Sequence, residues 1–210
     1  MPDALTLDAN TFVLFILRWI HFLAGITWIG LLYFFNLING PFQKKLDAGA
    51  KKAVVPELMP RTLWWFRWGA MITILSGYGY IIWKIFVATN AGLHGTGGLF
   101  TSTWGKWITM GGGFGTIMWF NVWFIIWPAQ KKLIAGVRSG TPPANAEGLT
   151  KRAFLASRLN TYLSVPLLFA MGGASHYPVF NGPTVIVVLA VGFGTAWFFI
   201  NKVAGKVGTN

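Results

Sequence analysis

Five long apolar stretches, separated by shorter polar connections, dominate the chain. They cover residues 12–38, 63–88, 107–127, 153–173 and 185–200. An α-helix needs about 20 apolar residues to cross roughly 30 Å of hydrocarbon, and the last stretch lies near the lower limit. The pattern predicts an all-α integral membrane protein, a bundle of five transmembrane helices. Because no region remains for a separate soluble domain, residues 1–210 are predicted to form a single transmembrane domain.

The composition supports this class of protein. Hydrophobic residues make up 54% of the 210-residue chain and charged residues only 10%, whereas soluble domains contain about 25% charged residues. The first stretch follows Asp3 and Asp8 rather than a basic segment, and Arg18 and His21 interrupt it. These features argue against a cleaved signal peptide, so we expect all five helices to remain in the membrane.

The basic residues alternate between the two sides of the predicted bundle. Residues 89–105 and 174–183 contain no Lys or Arg, whereas the other connections and the C-terminal tail are basic. By the positive-inside rule, this distribution predicts the N-terminus outside and the C-terminus in the cytoplasm. The net charge of +12 therefore reflects topology and, second, attraction to anionic lipid, and we do not expect nucleic-acid binding. The basic connections contain Lys44, Lys45, Lys51, Lys52, Arg61, Lys131, Lys132, Arg138, Lys151, Arg152, Lys202 and Lys206.

Several kinds of chemistry are excluded by residue type. The chain has no cysteine, which excludes disulfides, thiolate metal sites, iron–sulfur clusters and a covalently attached c-type haem. All five acidic residues fall outside the apolar stretches, so a carboxylate proton relay within the membrane is not expected. The glycine-rich run at 111–115 lies inside an apolar helix, where it favours close helix packing over a flat ligand against the backbone.

One face of the first predicted helix carries the strongest candidate site. Arg18, His21, Gly25 and Trp28 are spaced by three, four and three residues and therefore share a face. A neutral imidazole is a common haem ligand, Gly25 would leave room for a macrocycle edge, and Arg18 could pair with a propionate. Alternatively, His21 hydrogen-bonds a neighbouring helix while Arg18 extends to the membrane interface.

A second histidine strengthens the haem interpretation. His176 follows the fourth apolar stretch, on the side of the membrane where Arg18 and His21 are also predicted. Two imidazoles can ligate one haem only if they lie at nearly the same depth, and the sequence leaves the depth of His21 open. His94, in a glycine-rich outer connection, is interpreted as a solvated loop residue.

Segments of three predicted helices carry a recognisable pattern. In the third helix, residues 115–118 read Gly-Thr-Ile-Met and residues 128–132 read Pro-Ala-Gln-Lys-Lys. In the fourth, residues 160–169 read Asn-Thr-Tyr-Leu-Ser-Val-Pro-Leu-Leu-Phe, and Ser-His-Tyr-Pro follows at 175–178. The first helix adds Arg-Trp-Ile-His at 18–21. Together these segments resemble the membrane domain of the urate oxidase N-terminal family.

The resemblance implies a multi-pass protein of the bacterial inner membrane, with His21 and His176 as haem ligands and Arg18 and Gly25 beside the cofactor. Full-length family members carry further spans and a C-terminal cytochrome c domain, so this chain is expected to be a truncated form. Thr109 and Leu159 stand where further family histidines are expected. Urate oxidation itself is therefore not carried over, and no catalytic residue is predicted.

Two functions follow from these observations. In the first, the chain is a subunit that binds a b-type haem and relays electrons between a cytochrome c and a partner complex in the membrane. In the second, it is a cofactor-free accessory subunit of a larger respiratory, photosynthetic or oxygenase complex. Both favour a non-catalytic or electron-transfer subunit over a complete oxidoreductase, and both require other membrane subunits. Their contact surface is expected near Gly192, Gly194 and Trp197 or near Trp119 and Trp123.

Overall fold

The computed structural model describes residues 8–88 and 98–208, which form five long helices and, within these ranges, no strand. Each of the five predicted stretches lies in a separate helix. Four of the helices contain a π-helical segment, at Phe34–Asn39, Trp83–Val87, Asn121–Ile126 and Phe199–Val203. The helices are α1 (Ala9–Lys45), α2 (Ala48–Val87), α3 (Thr103–Ser139), α4 (Ala146–His176) and α5 (Gly182–Val203).

Polar side chains fix where four of the helices begin. Asp8 accepts hydrogen bonds from backbone N–H groups of the first turn of α1, and Asp47 accepts one from Ala50 at 2.8 Å in α2. Ser102 and Asn181 perform the same task for α3 and α5. Such caps satisfy donors that the first turn leaves free. Two acidic residues are thus used as helix caps and are not available as counter-charges in the bundle.

The outward surface of the bundle is apolar. Helices α1, α2, α3 and α5 are each long and apolar enough to cross a membrane. Large side chains on them are exposed, including Ile26 at 72%, Phe86 at 74% and Val191 at 63%, which lipid tolerates and water does not. The chain is therefore a multi-pass helical membrane protein. Helix α4 is less apolar because it carries more polar residues; its charged residues near the basic end, such as Lys151 and Arg152, are exposed, whereas Asn160, Thr161 and Ser164 are buried.

The helices pack in an antiparallel order that glycines make possible. Helix α1 lies along α2, α3 along α4, and α5 against α4. A Cβ added at Gly69 of α2 would lie 3.3 Å from the backbone nitrogen of Trp28 in α1, so the two backbones approach closely there. A Cβ added at Gly111 would lie 3.2 Å from Cβ of Ala170, which confirms a packing role for this glycine of the 111–115 run.

A buried group of polar side chains, here called the polar ladder, joins α1, α3 and α4. Asn160 donates to the Met118 carbonyl at 3.0 Å and accepts from Nδ2 of Asn121 at 2.8 Å. The hydroxyl groups of Tyr33 and Ser164 lie 3.0 Å apart. These bonds satisfy groups that would otherwise be unpaired in an apolar interior. The ladder consists of Tyr33, Asn36, Asn121, Ser157, Asn160, Thr161 and Ser164.

Helical structure continues beyond the predicted spans at one end of the bundle, here called the basic end. Only Leu46 and Asp47 separate α1 from α2, whereas the sequence predicted a long polar connection over 39–62. Pro56 and Pro60 lie inside α2, and Nη2 of Arg138 donates to the Pro56 carbonyl at 3.2 Å. The charged segments therefore form helical extensions of the bundle. The opposite end, where α1 begins, is called the N-terminal end.

Candidate functional site

The imidazole of His21 is fixed in the interface between α1 and α2. Its Nδ1 lies 2.9 Å from the Thr73 carbonyl oxygen, and the residue is half-buried. A carbonyl can only accept, so Nδ1 carries the proton and Nε2 keeps its lone pair. Within the described residues, Nε2 has no hydrogen-bond partner. This is the tautomer in which a histidine binds a metal through one nitrogen while the backbone orients the other.

Gly77 of α2 provides the surface on which the ring of His21 lies. A Cβ at this position would stand 2.9 Å from Cε1 and 3.0 Å from Nδ1 of the imidazole. Real Cβ atoms do not approach other atoms so closely, so any larger residue would displace the ring. The orientation of His21 thus depends on both the Thr73 carbonyl and the missing side chain at Gly77.

Arg18 lies one turn closer to the N-terminal end and is also tied to α2. Its Nη2 donates to the hydroxyl of Tyr80 at 2.5 Å, and its Cζ lies 5.0 Å from the centre of the Tyr80 ring. Because Arg18 is exposed, its other N–H donors remain accessible. Arg18 is therefore held in place while it retains the ability to bind an anionic group.

The other two residues of the predicted face also point toward α2. An added Cβ at Gly25 would lie 3.9 Å from Cγ2 of Thr73, which is ordinary van der Waals contact. Trp28 is 2% exposed and belongs to the main core, which also contains Leu32, Phe66 and Met118. Arg18, His21, Gly25 and Trp28 thus share one face that is directed toward α2, which buries Trp28 and leaves Arg18 exposed.

His176 occupies a different environment, at the end of α4. It is exposed and lines a shallow cleft of about 370 Å³ with Thr103 and Trp104 of α3. The nearby indole of Trp107 is fully buried, and its Nε1 donates to the Val179 carbonyl at 3.2 Å. The cleft opens at the N-terminal end of the bundle.

Contacts between helices show that the two histidines lie at different depths. His21 lies opposite residues 73–77 of α2. A Cβ at Gly115 would touch both Ile74 of α2, at 3.9 Å, and Leu167 of α4, at 3.6 Å, which places these residues in the same layer. His176 follows Leu167 by nine residues, a rise of about 14 Å along a helix. No hydrogen bond or shared cleft of the described residues joins the two imidazoles.

Sequence reasoning did not identify the partners of His21. Thr73 contributes only its carbonyl, which any residue could provide, so its side chain gives no signal of this role. Gly77 follows Leu75-Ser76 in a segment whose glycine could have indicated close approach to a neighbouring helix. His94 lies outside the described residues. Among the described residues, no group of three histidine or acidic side chains could hold a metal ion.

Comparison with known proteins supports the resemblance seen in the sequence. A family model described as Urate oxidase N-terminal matches residues 96–207, more than half of the chain. The match includes α3, α4, α5 and His176, and it begins after α1 and α2, which carry His21 and its partners. No curated protein and no solved structure matches the chain. The chain belongs to the urate oxidase N-terminal family.

Proposed function

We propose that this chain is a five-span subunit of a bacterial inner membrane that binds a b-type haem through Nε2 of His21. In this role it relays electrons between a cytochrome c outside and a partner complex in the membrane. The observation that carries the proposal is the hydrogen bond from Nδ1 of His21 to the Thr73 carbonyl at 2.9 Å. It leaves one imidazole nitrogen free to ligate iron, inside an apolar bundle.

The burial of α4 supports a fifth membrane span. Helix α4 packs against α3 and α5, two helices that can cross a membrane, and it also contacts α1. Its 31 residues give a length of about 46 Å, more than the hydrocarbon thickness. Asn160, Thr161 and Ser164, near the middle of α4, are buried, so lipid does not meet these three polar side chains. With five spans, the basic end lies in the cytoplasm and the N-terminal end outside.

The residues around His21 are of the types that ligate haem iron and bind a haem propionate. The unprotonated Nε2 offers its lone pair to a metal, and the ring lies against Gly77, where no side chain displaces it. The exposed Arg18 could pair with a propionate. When bound, a b-type haem supplies a one-electron carrier. Neither described cleft includes His21, and exposed Ile20 and Phe22 flank it. We propose that a partner subunit covers this part of α1.

His176 has two proposed roles, second iron ligand or hydrogen-bond donor to the site. The rise of about 14 Å between the layer of His21 and His176 argues against ligation of one iron by both imidazoles, which leaves the second role as the proposed one. At the N-terminal end, His176 would lie where a cytochrome c could dock.

The experiment is a visible absorption spectrum of the chain purified with its native partners. We expect a Soret band that disappears in His21→Ala and persists, with at most a shift, in His176→Ala. Size-exclusion chromatography of both variants provides the control for assembly. A wild-type complex with no Soret band from this subunit, or a band unchanged in His21→Ala, would contradict haem binding at His21.

A cofactor-free accessory subunit is the second candidate, and it is favoured by the observation that neither described cleft includes His21. Both candidates need a partner surface, and α5 offers one. Gly194 has open space beside it, and Trp197 is 48% exposed. Gly192 was predicted to face a partner, but an added Cβ would lie 2.8 Å from Pro166, so this glycine serves internal packing. Trp119 and Trp123 likewise pack against the main core. The partner surface is therefore proposed near Gly194 and Trp197, which site-specific crosslinking from Gly194→Cys would test.

A further inference from the structure

Arg67 of α2 lies in a cage of three indole rings near the basic end. Its guanidinium carbon is 4.1 Å from the ring centre of Trp127, 5.1 Å from that of Trp123 and 5.7 Å from that of Trp68. The contacts with Trp123 and Trp127 place α3 over the guanidinium. Cation–π contact stabilises the charge, but an aromatic ring does not replace an oxygen acceptor for the N–H donors of the guanidinium.

Among residues 8–88 and 98–208, these donors find no acceptor. Nε of Arg67 is buried without a hydrogen-bond partner, and Nη1 and Nη2 form no hydrogen bond or ion pair among the described residues. The nearby Arg61 differs, because its Nη1 donates to Glu57 Oε2 at 2.7 Å. An unpaired guanidinium beside apolar surroundings is unfavourable unless an acceptor reaches it from outside.

The depth of Arg67 indicates where that acceptor comes from. Lys84, whose Nζ lies 4.1 Å from the ring centre of Trp104, follows Arg67 by 17 residues on α2. This spacing corresponds to about 26 Å along a helix, close to the thickness of the hydrocarbon layer. Trp64 and Trp65, which are 48% and 59% exposed, lie beside Arg67 as a typical interfacial belt. These features put Arg67 near the membrane interface at the basic end, where its guanidinium can reach lipid headgroups.

We propose that Arg67, with Trp68, Trp123 and Trp127, binds the phosphate of an anionic phospholipid in the leaflet at the basic end. The guanidinium fork matches two phosphate oxygens, and an anionic headgroup fits a chain of net charge +12. Lys131 is exposed and lies one turn beyond Trp127, on the same face of α3, where it can meet the remainder of the headgroup. The site does not depend on haem binding.

Native mass spectrometry of the detergent-purified protein tests this site. We expect the wild type to retain phosphatidylglycerol more tightly than phosphatidylcholine. Arg67→Gln should lower the affinity for phosphatidylglycerol roughly tenfold, because charge-assisted hydrogen bonds are lost. The matched control, Arg61→Gln, removes an arginine six residues away that already has a partner, and its affinity should stay within about twofold of the wild type.

Two further measurements keep the proposal open to contradiction. Inorganic phosphate, added in excess, should not displace the lipid; displacement would assign the site to free phosphate. If Arg67→Gln is not monodisperse, Arg67→Lys replaces it and should bind the lipid more weakly than the wild type, because it keeps the charge without the fork. Equal retention of the two lipids by the wild type, or unchanged affinity in the Arg67 variant, would overturn the proposal.

Discussion

The polar ladder and the His21 site are both polar groups within an apolar bundle, and they differ in how completely their hydrogen bonds are satisfied. In the ladder, the Asn160 side chain both donates and accepts, and Tyr33 pairs with Ser164. At the site, His21 uses Nδ1, and Nε2 has no partner in the part of the chain that the structure describes. The donors and acceptors of the ladder thus bond to neighbouring helices, whereas Nε2 of His21 can still bind a ligand.

This difference has an energetic consequence. A hydrogen bond between helices in a membrane contributes on average only about 0.6 kcal/mol, because the unfolded chain in lipid also finds partners. Removing one member of a buried pair costs more, about 1–3 kcal/mol, since the remaining group loses its partner. Substitutions in the ladder should therefore lower the free energy of unfolding. Substitutions at His21 should mainly lower ligand binding.

The largest effect is expected for Asn160→Leu. The change removes both ladder bonds of Asn160 and leaves the Asn121 amide without its acceptor. We expect the free energy of unfolding to fall by about 1–3 kcal/mol, measured by denaturant-induced unfolding in mixed micelles. Asn201→Leu is the control, because the exposed Asn201 donates a hydrogen bond to the Trp197 carbonyl of its own helix, and the described residues show no bond from it to another helix. Equal losses in the two variants would show that the ladder does not hold the bundle together.

A smaller effect on stability, but a large effect on the site, is expected for Gly77→Ala. The new methyl group must displace the imidazole of His21, which lies within 3.0 Å of its position. Because alanine also favours a helix by about 1 kcal/mol over glycine, the net change in stability should stay within roughly that amount. The ¹⁵N chemical shifts of the His21 ring should change as the bond to Thr73 is disturbed.

Gly79→Ala is the matched control for that experiment. Its methyl group would meet the flexible side chain of Leu17 at 3.5 Å, an ordinary contact. The His21 resonances should therefore remain as in the wild type. Similar shifts in both variants would mean that His21 is not held by Gly77.

The smallest effect is expected at Asp8, a polar group whose bonds are complete but exposed. Hydrogen bonds from Thr11, and a weaker one from Asn10, lower the pKa of Asp8 below its ordinary value of 3.8. The cap is therefore fully formed above that value and is lost as the pH falls through the lower pKa of the folded state. The amide resonance of Thr11 should move in this acidic range and should not do so in Asp8→Asn. A pH-independent wild type would contradict the assignment.

Much of the bundle could be predicted from the sequence because hydropathy and helical period are local properties. The stretches at 12–38, 63–88 and 107–127 lie within helices or end within one residue of them. The segment 39–62 could not be predicted in this way, because its charges and prolines are typical of a loop. Apart from Leu46 and Asp47 it is helical, and Arg138 of α3 donates a hydrogen bond to the Pro56 carbonyl within it.

The site was predictable only in part. The spacing of Arg18, His21 and Gly25 correctly placed them on one face, since a single helix determines that geometry. The depth of His21 relative to His176 was not predictable, because it depends on how far neighbouring helices slide past each other. The roles of Gly77 and Gly192 were unrecognised for the same reason, since each is defined by an atom on another helix.

Hydropathy, charge and motifs were enough to predict five helices, an apolar outer surface, a basic end and membership of the urate oxidase N-terminal family. The packing of the helices was needed to see which polar groups are fully bonded and which, among the described residues, keep a free donor or acceptor. The physical reason is that hydropathy acts on each segment separately, whereas a hydrogen bond requires two helices in a particular register. Close contacts such as Gly69 with the backbone of Trp28 contribute to that register, and so to the free nitrogen of His21.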